Sequence, residues 1–189
     1  MKIRIVLTIL LLCPLFLQAQ PRVDGREIHK GMNSLYYKKG QTSPFTGVML
    51  EYYENGQLER ETNIVAGYRD GLCKEYFEDG TLAIEGEYKQ GKEHGVIKMY
   101  DDTGKLFSVE EYQNGLLDGV SKGFHANGAL EMEMTFRQGH AQGEMKQYYE
   151  GGNLMCSMFF KNGQIEGLMK VYNANGYVET EANFRNGKE

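Results

Sequence analysis

The stretch Phe124-His125-Ala126-Asn127-Gly128-Ala129-Leu130-Glu131-Met132-Glu133-Met134-Thr135-Phe136 decides the fold. From Leu130 to Phe136 apolar and polar residues alternate with a period of two, the mark of a strand with one buried face. Asn127-Gly128 precedes that run, and Asn-Gly between alternating runs is the strongest short-range signal for a β-hairpin. A first strand of the same kind is seen at Val96-Ile97-Lys98-Met99-Tyr100.

Working outward, the pattern returns every 24 residues without an insertion, opening at Gly47, Gly71, Gly95, Gly119, Gly143 and Gly167. With each opening glycine as offset zero, offset nine is Gly56, Gly80, Gly104, Gly128, Gly152 and Gly176. Offset twenty is Gly67, Gly91, Gly115, Gly139, Gly163 and Gly187. Three offsets thus hold 18 of the chain's 24 glycines, so each unit solves one backbone problem in the same way. All three are read as turn positions. Six units follow, over 47–70, 71–94, 95–118, 119–142, 143–166 and 167–189, each a β-hairpin, behind a lead-in over 20–46. With 22 aromatics, three prolines and no tryptophan among 189 residues, composition agrees with an all-β chain.

Side-chain columns set the expected register. Offset five is always aromatic (Tyr52, Tyr76, Tyr100, Phe124, Tyr148, Tyr172), offset eleven is Leu58, Leu82, Leu106, Leu130, Leu154 and Val178, and offset seventeen is Ile64, Tyr88, Tyr112, Phe136, Phe160 and Phe184. A three-residue loop ending in glycine, a type I turn closed by a glycine bulge, places offset five opposite eleven and predicts all three columns on one face. The lysines at offset three (Lys74, Lys98, Lys122, Lys146, Lys170) share that face, their stems on the aromatics. Paired glutamates such as Glu59 and Glu61, Glu85 and Glu87, Glu131 and Glu133, and Glu179 and Glu181 are expected on the other face as a solvated layer.

Tyr172 to Gly176, with Val178 in a leucine slot, and Phe160 to Gly167 fit Tyr-x-x-Asn-Gly-x-Leu followed by Phe-x-Asn-Gly-x-x-x-Gly. This pattern resembles the MORN-repeat variant, the unit found in YwqK-family antitoxins and in many exported bacterial proteins. The resemblance covers 47–189, with a degenerate half-unit at Tyr37-Lys38-Lys39-Gly40. It implies an elongated, twisted antiparallel sheet of stacked hairpins. Twelve strands at ~4.8 Å would span roughly 58 Å and hold Cys73 and Cys156 about 30 Å apart, too far to bridge. Both thiols are expected to be free.

Lys2 and Arg4 ahead of the apolar run Ile5 to Leu17, then Gln18, Ala19 and Gln20, read as a secretory signal over 1–19, cleaved after Ala19. The run is too short to span a bilayer. A lipoprotein reading at Cys13 is disfavoured, because Leu12 stands where a small residue is expected. The destination is then periplasmic, envelope-associated or secreted. Removing Lys2 and Arg4 takes the formal charge from −5 to −7, which opposes nucleic-acid binding and attraction to anionic lipid.

No catalytic constellation, metal site or cofactor motif is expected. His94, His125 and His140 fall at unrelated offsets, and no glycine-rich loop opens a helix. The glutamates lie along strands and lack the loop composition of a calcium site. The informative residues are those that interrupt the acidic pattern: Ile97, Met99, Phe107 and Val109 in the third repeat, Met145, Tyr149, Met155 and Phe159 in the fifth, then Met169 and Val171. Apolar patches rich in Met and aromatics mark interfaces, so these ten are the candidate partner-binding set. The expected function is an exported, non-enzymatic scaffold for protein–protein interaction. The alternatives are an antitoxin or immunity protein with a toxin partner, and membrane-surface association. The last repeat ends in an uncapped strand, so edge-to-edge homodimerisation is also expected.

Overall fold

Two kinds of turn fold each unit. At the first, the Gly80 N–H donates to the Phe77 carbonyl at 2.9 Å and the Phe77 N–H to the Thr81 carbonyl at 2.8 Å. Gly80 has φ 89°. This is the expected three-residue loop with a glycine bulge, and the same pair of bonds recurs in every repeat. A polar side chain pre-folds it: Asp79 Oδ1 accepts from Thr81 N–H at 2.8 Å, and Asn55 and Asn127 act likewise. The second turn has two residues, Gln90 at φ 50° and Gly91 at φ 83°, which is type I′. Asn precedes the glycine at 114, 162 and 186, but Ala66, Gln90 and Gln138 hold the same left-handed geometry at φ 48° to 50°.

The computed structural model describes residues 20–189; the expected leader at 1–19 lies outside the described residues. The lead-in supplies β1 (Arg22–Asp24), β2 (Ile28–Lys30) and β3 (Tyr36–Lys38). The first three repeats supply β4 (Gly47–Tyr52), β5 (Leu58–Val65), β6 (Tyr68–Tyr76), β7 (Leu82–Lys89), β8 (Lys92–Tyr100) and β9 (Leu106–Gln113). The rest supply β10 (Leu116–Phe124), β11 (Leu130–Arg137), β12 (His140–Tyr148), β13 (Leu154–Lys161), β14 (Gln164–Ile165), β15 (Gly167–Tyr172) and β16 (Val178–Phe184). Strands β4 to β16 form one antiparallel meander in which chain neighbours are sheet neighbours, with β14 a short partner of β13 beside β15. Strand β1 adds in parallel to β4, and β2 pairs with β3 in a separate ribbon. The expected half-unit around Tyr37 therefore belongs to this ribbon instead of to the stack.

Residues opposite each other follow the expected register at the turn: Tyr76 pairs with Leu82 and Tyr100 with Leu106. One step further in, Glu75 pairs with Ile84, leaving Ala83 as an extra residue. The same shift occurs in all six repeats. An extra residue reverses the parity of the rest of the second strand. Offsets one, three, five, eleven, fourteen and sixteen therefore share one face, here the front. Offsets zero, two, four, thirteen, fifteen and seventeen share the back. The offset-seventeen aromatics thus lie opposite the tyrosine column, contrary to the expected single apolar face.

The opening glycines are not turn residues, which corrects the third turn position. Gly71, Gly95, Gly119 and Gly143 lie inside strands, and Gly47 and Gly167 begin strands. Each faces an offset-seventeen residue, as in Gly95 against Tyr112 and Gly119 against Phe136. At Gly119 φ is 142°, and a Cβ there would collide with the Glu111 side chain.

Neighbouring hairpins are stitched along both margins. Beside the type I′ turns, Gly91 N–H donates to the Arg69 carbonyl of the preceding repeat at 2.8 Å, and the corresponding glycines at 67, 115, 139, 163 and 187 do the same to their own neighbours. The residue before the glycine often donates to a side chain of the preceding unit, as Gln90 N–H to Asp70 Oδ2 at 3.1 Å and Asn186 N–H to Glu166 Oε2 at 2.8 Å. On the other margin Tyr53 Oη donates to the Tyr76 carbonyl at 2.6 Å and Tyr149 Oη to the Tyr172 carbonyl at 2.8 Å. The main core sits at the start of the stack, where Val23, Phe45, Met49 and Ile64 are buried with Ile28 and Tyr36 against them.

Gly91 has open space around it, the nearest atom to an added Cβ being 3.9 Å away, so its role is conformational. Gly91→Ala should cost about 1–2 kcal/mol in urea unfolding, whereas Gln90→Asn should stabilise by a few tenths of a kcal/mol, ~0.5 at most.

Candidate interaction surfaces

Following the front face across the strands, three rows run the length of the stack. The first alternates the aromatics of offset five with the leucines of offset eleven. The second is a ladder of opposite charges: Glu61, Lys74, Glu85, Lys98, then Val109, Lys122, Glu133, Lys146, Ser157, Lys170 and Glu181. Glu61, Glu85, Glu133 and Glu181 therefore lie beside the lysines and tyrosines, not across the sheet from them. Lys98 Nζ lies 3.1 Å from Glu85 Oε1, and Lys170 Nζ 2.9 Å from Glu181 Oε1. Tyr100 Oη also donates to Glu85 at 3.2 Å. The Lys98 hydrogen bond holds the Glu85 carboxyl below its ordinary value, with burial opposing and Tyr100 assisting.

The third front row, at offsets one and sixteen near the type I′ margin, is open. Leu72 is 42% exposed, Val96 43%, Phe159 44% and Leu168 47%, with Tyr68 and Leu116 beside them on the same margin. A shallow depression lined by Leu72, Glu87, Gly95 and Val96 opens there. Nothing among the described residues covers this strip, because the lead-in ribbon packs over the back of the first repeat.

The back face has its own row at offsets two and fifteen: Met49, Thr62, Cys73, Gly86, Ile97, Glu110, Ser121, Met134, Met145, Met158, Met169 and Ala182. Its first half mixes small, apolar and polar residues. In the adjacent row of the same face Arg60 reaches Glu75 at 2.9 Å and Glu51 at 3.1 Å. Tyr112 Oη donates to Glu110 at 2.7 Å. Burial and that bond push the Tyr112 phenol well above its ordinary value. Cys73 and Cys156 lie on this face, buried and unbridged, in β6 and β13 with six strands between them.

The bulge divides the expected partner-binding set. Ile97, Met99, Met145, Met169 and Val171 face the back, Ile97 being buried; Val109 and Phe159 face the front. Phe107 and Met155 occupy the bulge itself, and Phe107 is 45% exposed. Tyr149 is a structural stitch. The ten do not form one patch. Sequence reasoning missed Leu72, Val96 and Leu168 because they lie on the face assigned to the core. It missed Met132, Met134 and Met158 because, without the bulge, they fall on the face assigned to the buried columns. His125 is also structural, its Nε2 lying 2.8 Å from the Tyr148 carbonyl. Among the described residues no three His, Cys, Asp or Glu side chains gather as a metal cluster, and no helix is long and apolar enough to cross a membrane.

The sequence matches the MORN repeat variant family six times, over residues 45–65, 69–90, 93–114, 117–138, 141–162 and 165–186, well over half the chain. The chain belongs to the MORN repeat variant family. Its matched segments begin about where the strands do, two residues ahead of the opening glycines, so the MORN unit is a complete strand–turn–strand hairpin. MORN repeats are commonly scaffolds for protein or membrane interaction and are typically non-enzymatic. No curated protein matches the chain.

The charge ladder has a defined pH response. Glu85, ordinarily near 4.5, has a lowered folded value, so its contribution is present above that unfolded value and is lost as pH falls through the folded one. Glu85→Gln should therefore be less stable than the parent at pH 7, with the gap closing as pH falls below the ordinary carboxylate range, as read from urea midpoints.

Proposed function

We propose that the protein is an exported MORN-repeat scaffold that docks a protein partner along the front type I′ margin. The exposed strip of Tyr68, Leu72, Val96, Leu116, Phe159 and Leu168 carries this reading. Isolated exposed apolar residues are ordinary, but these recur along one margin from β6 to β15, alternating with Glu87, Glu111, Glu144 and Asn183, so the margin offers apolar anchors set among polar groups. The ladder beside it offers both signs of charge for orienting a partner. Export is supported by the charged, apolar and small-residue order of the first nineteen residues. A toxin as the partner is a narrower form, supported by resemblance of the repeat to the unit of YwqK-family antitoxins.

A photo-crosslinking residue at Val96 or Leu168 should give one discrete adduct in cells, while one at Ser121 on the back should give none. Leu72→Asp with Leu168→Asp should abolish that adduct yet change unfolding free energy by less than about 0.5 kcal/mol per site. An adduct that persists in the double variant would refute the docking strip. Separately, residues 1–20 fused to a reporter active only outside the cytoplasm should yield activity, and Leu10→Arg with Leu12→Arg should remove it.

A further inference from the structure

The back face changes character at β11. Across β11, β12 and β13, Met134 pairs with Met145 and Met145 with Met158, and Met169 on β15 continues the row. Two residues along, Met132 and Cys156 flank Gln147 on the same face. Six sulfur-bearing side chains thus occupy one patch of four strands, whereas the first seven strands hold three over the same two rows, Met49, Cys73 and Met99.

Directly paired Cα atoms lie about 4.5–5.5 Å apart. A methionine side chain has three rotatable bonds beyond its stiff backbone, so thioethers from three adjacent strands can meet over the middle one. These side chains are half-buried, within reach of an entering ion. The intervening Glu133 and Lys146 face the front, leaving sulfur as the main donor here. Thioether and thiolate donors favour soft ions such as copper(I), while hard cations require oxygen.

We propose that the back face over β11 to β13 binds one copper(I) ion through the thioethers of Met134, Met145 and Met158, with the Cys156 sulfur as a further donor. On binding, the Cys156 S–H bond breaks, its proton passes to solvent, and a copper–sulfur bond forms with no change in oxidation state. This site lies on the face opposite the docking strip and does not depend on it.

The test is anaerobic titration of the intact protein with copper(I) against a chromogenic copper(I) chelator. One equivalent should be withdrawn from the chelator, and equimolar zinc should not displace it. Met134→Leu, Met145→Leu and Met158→Leu together preserve volume and should weaken retention by roughly two orders of magnitude. Cys156→Ser should weaken it, and Cys73→Ser should leave it unchanged. X-ray absorption on the parent and on Met145→Leu alone should show sulfur neighbours, fewer in the variant, whether or not the triple variant folds. No withdrawal by the parent, undiminished retention in a folded triple variant, loss on changing Cys73, or a nitrogen and oxygen shell would each overturn the site.

Discussion

The structure depends on backbone satisfaction at the seams between hairpins. A single-layered sheet cannot bury one unit inside another, so each hairpin is held by its ladder and by bonds at its two margins. The type I′ turn directs an otherwise loose N–H toward a carbonyl of the unit before it, as Gly91 does toward Arg69. The opposite margin uses tyrosine hydroxyls, His125 and asparagine amides for the same purpose. These bonds work only at a fixed repeat length, because one residue more or less would move the donor off its acceptor. A period of 24 residues without insertions is therefore a geometric requirement of the stack.

The period, the places of the two hairpin turns and the type of the first were legible in the sequence, because left-handed backbone selects glycine and asparagine strongly enough to leave a mark. The pairing of Tyr76 with Leu82 was legible for the same reason. The bulge was not. Offset twelve holds Glu59, Ala83, Phe107, Glu131, Met155 and Glu179, with no residue type shared by all six, since an extra residue in a strand needs no special conformation that side chains would betray. That one residue then decides which side chains share a face. The glutamates move from the back to the lysine ladder, and the partner-binding set divides between two surfaces. The opening glycines were found but misassigned: they recur because the strand takes a positive φ there, which looks the same in sequence as a turn.

With the parity corrected, the two faces have different chemistry. The front carries compensated charge and an uncovered apolar margin, suited to a surface that meets another protein reversibly in water. The back grades from ion-paired groups at Arg60 to a soft, polarizable field beyond Ser121. A single-layered sheet can keep these apart because strand alternation insulates one side from the other through one layer of backbone.

Dense packing around Ile64 is confined to one end of the molecule, where the parallel strand β1 and the β2–β3 ribbon close over the first hairpin. Later units rest on their strand ladders and seams, with only single buried side chains such as Ile97 and Cys156. Under tension along the stacking direction, the row would peel hairpin by hairpin from the far end and halt at that plug. The same asymmetry lets a half-peeled molecule re-zip in order, each restored unit serving as the template for the next.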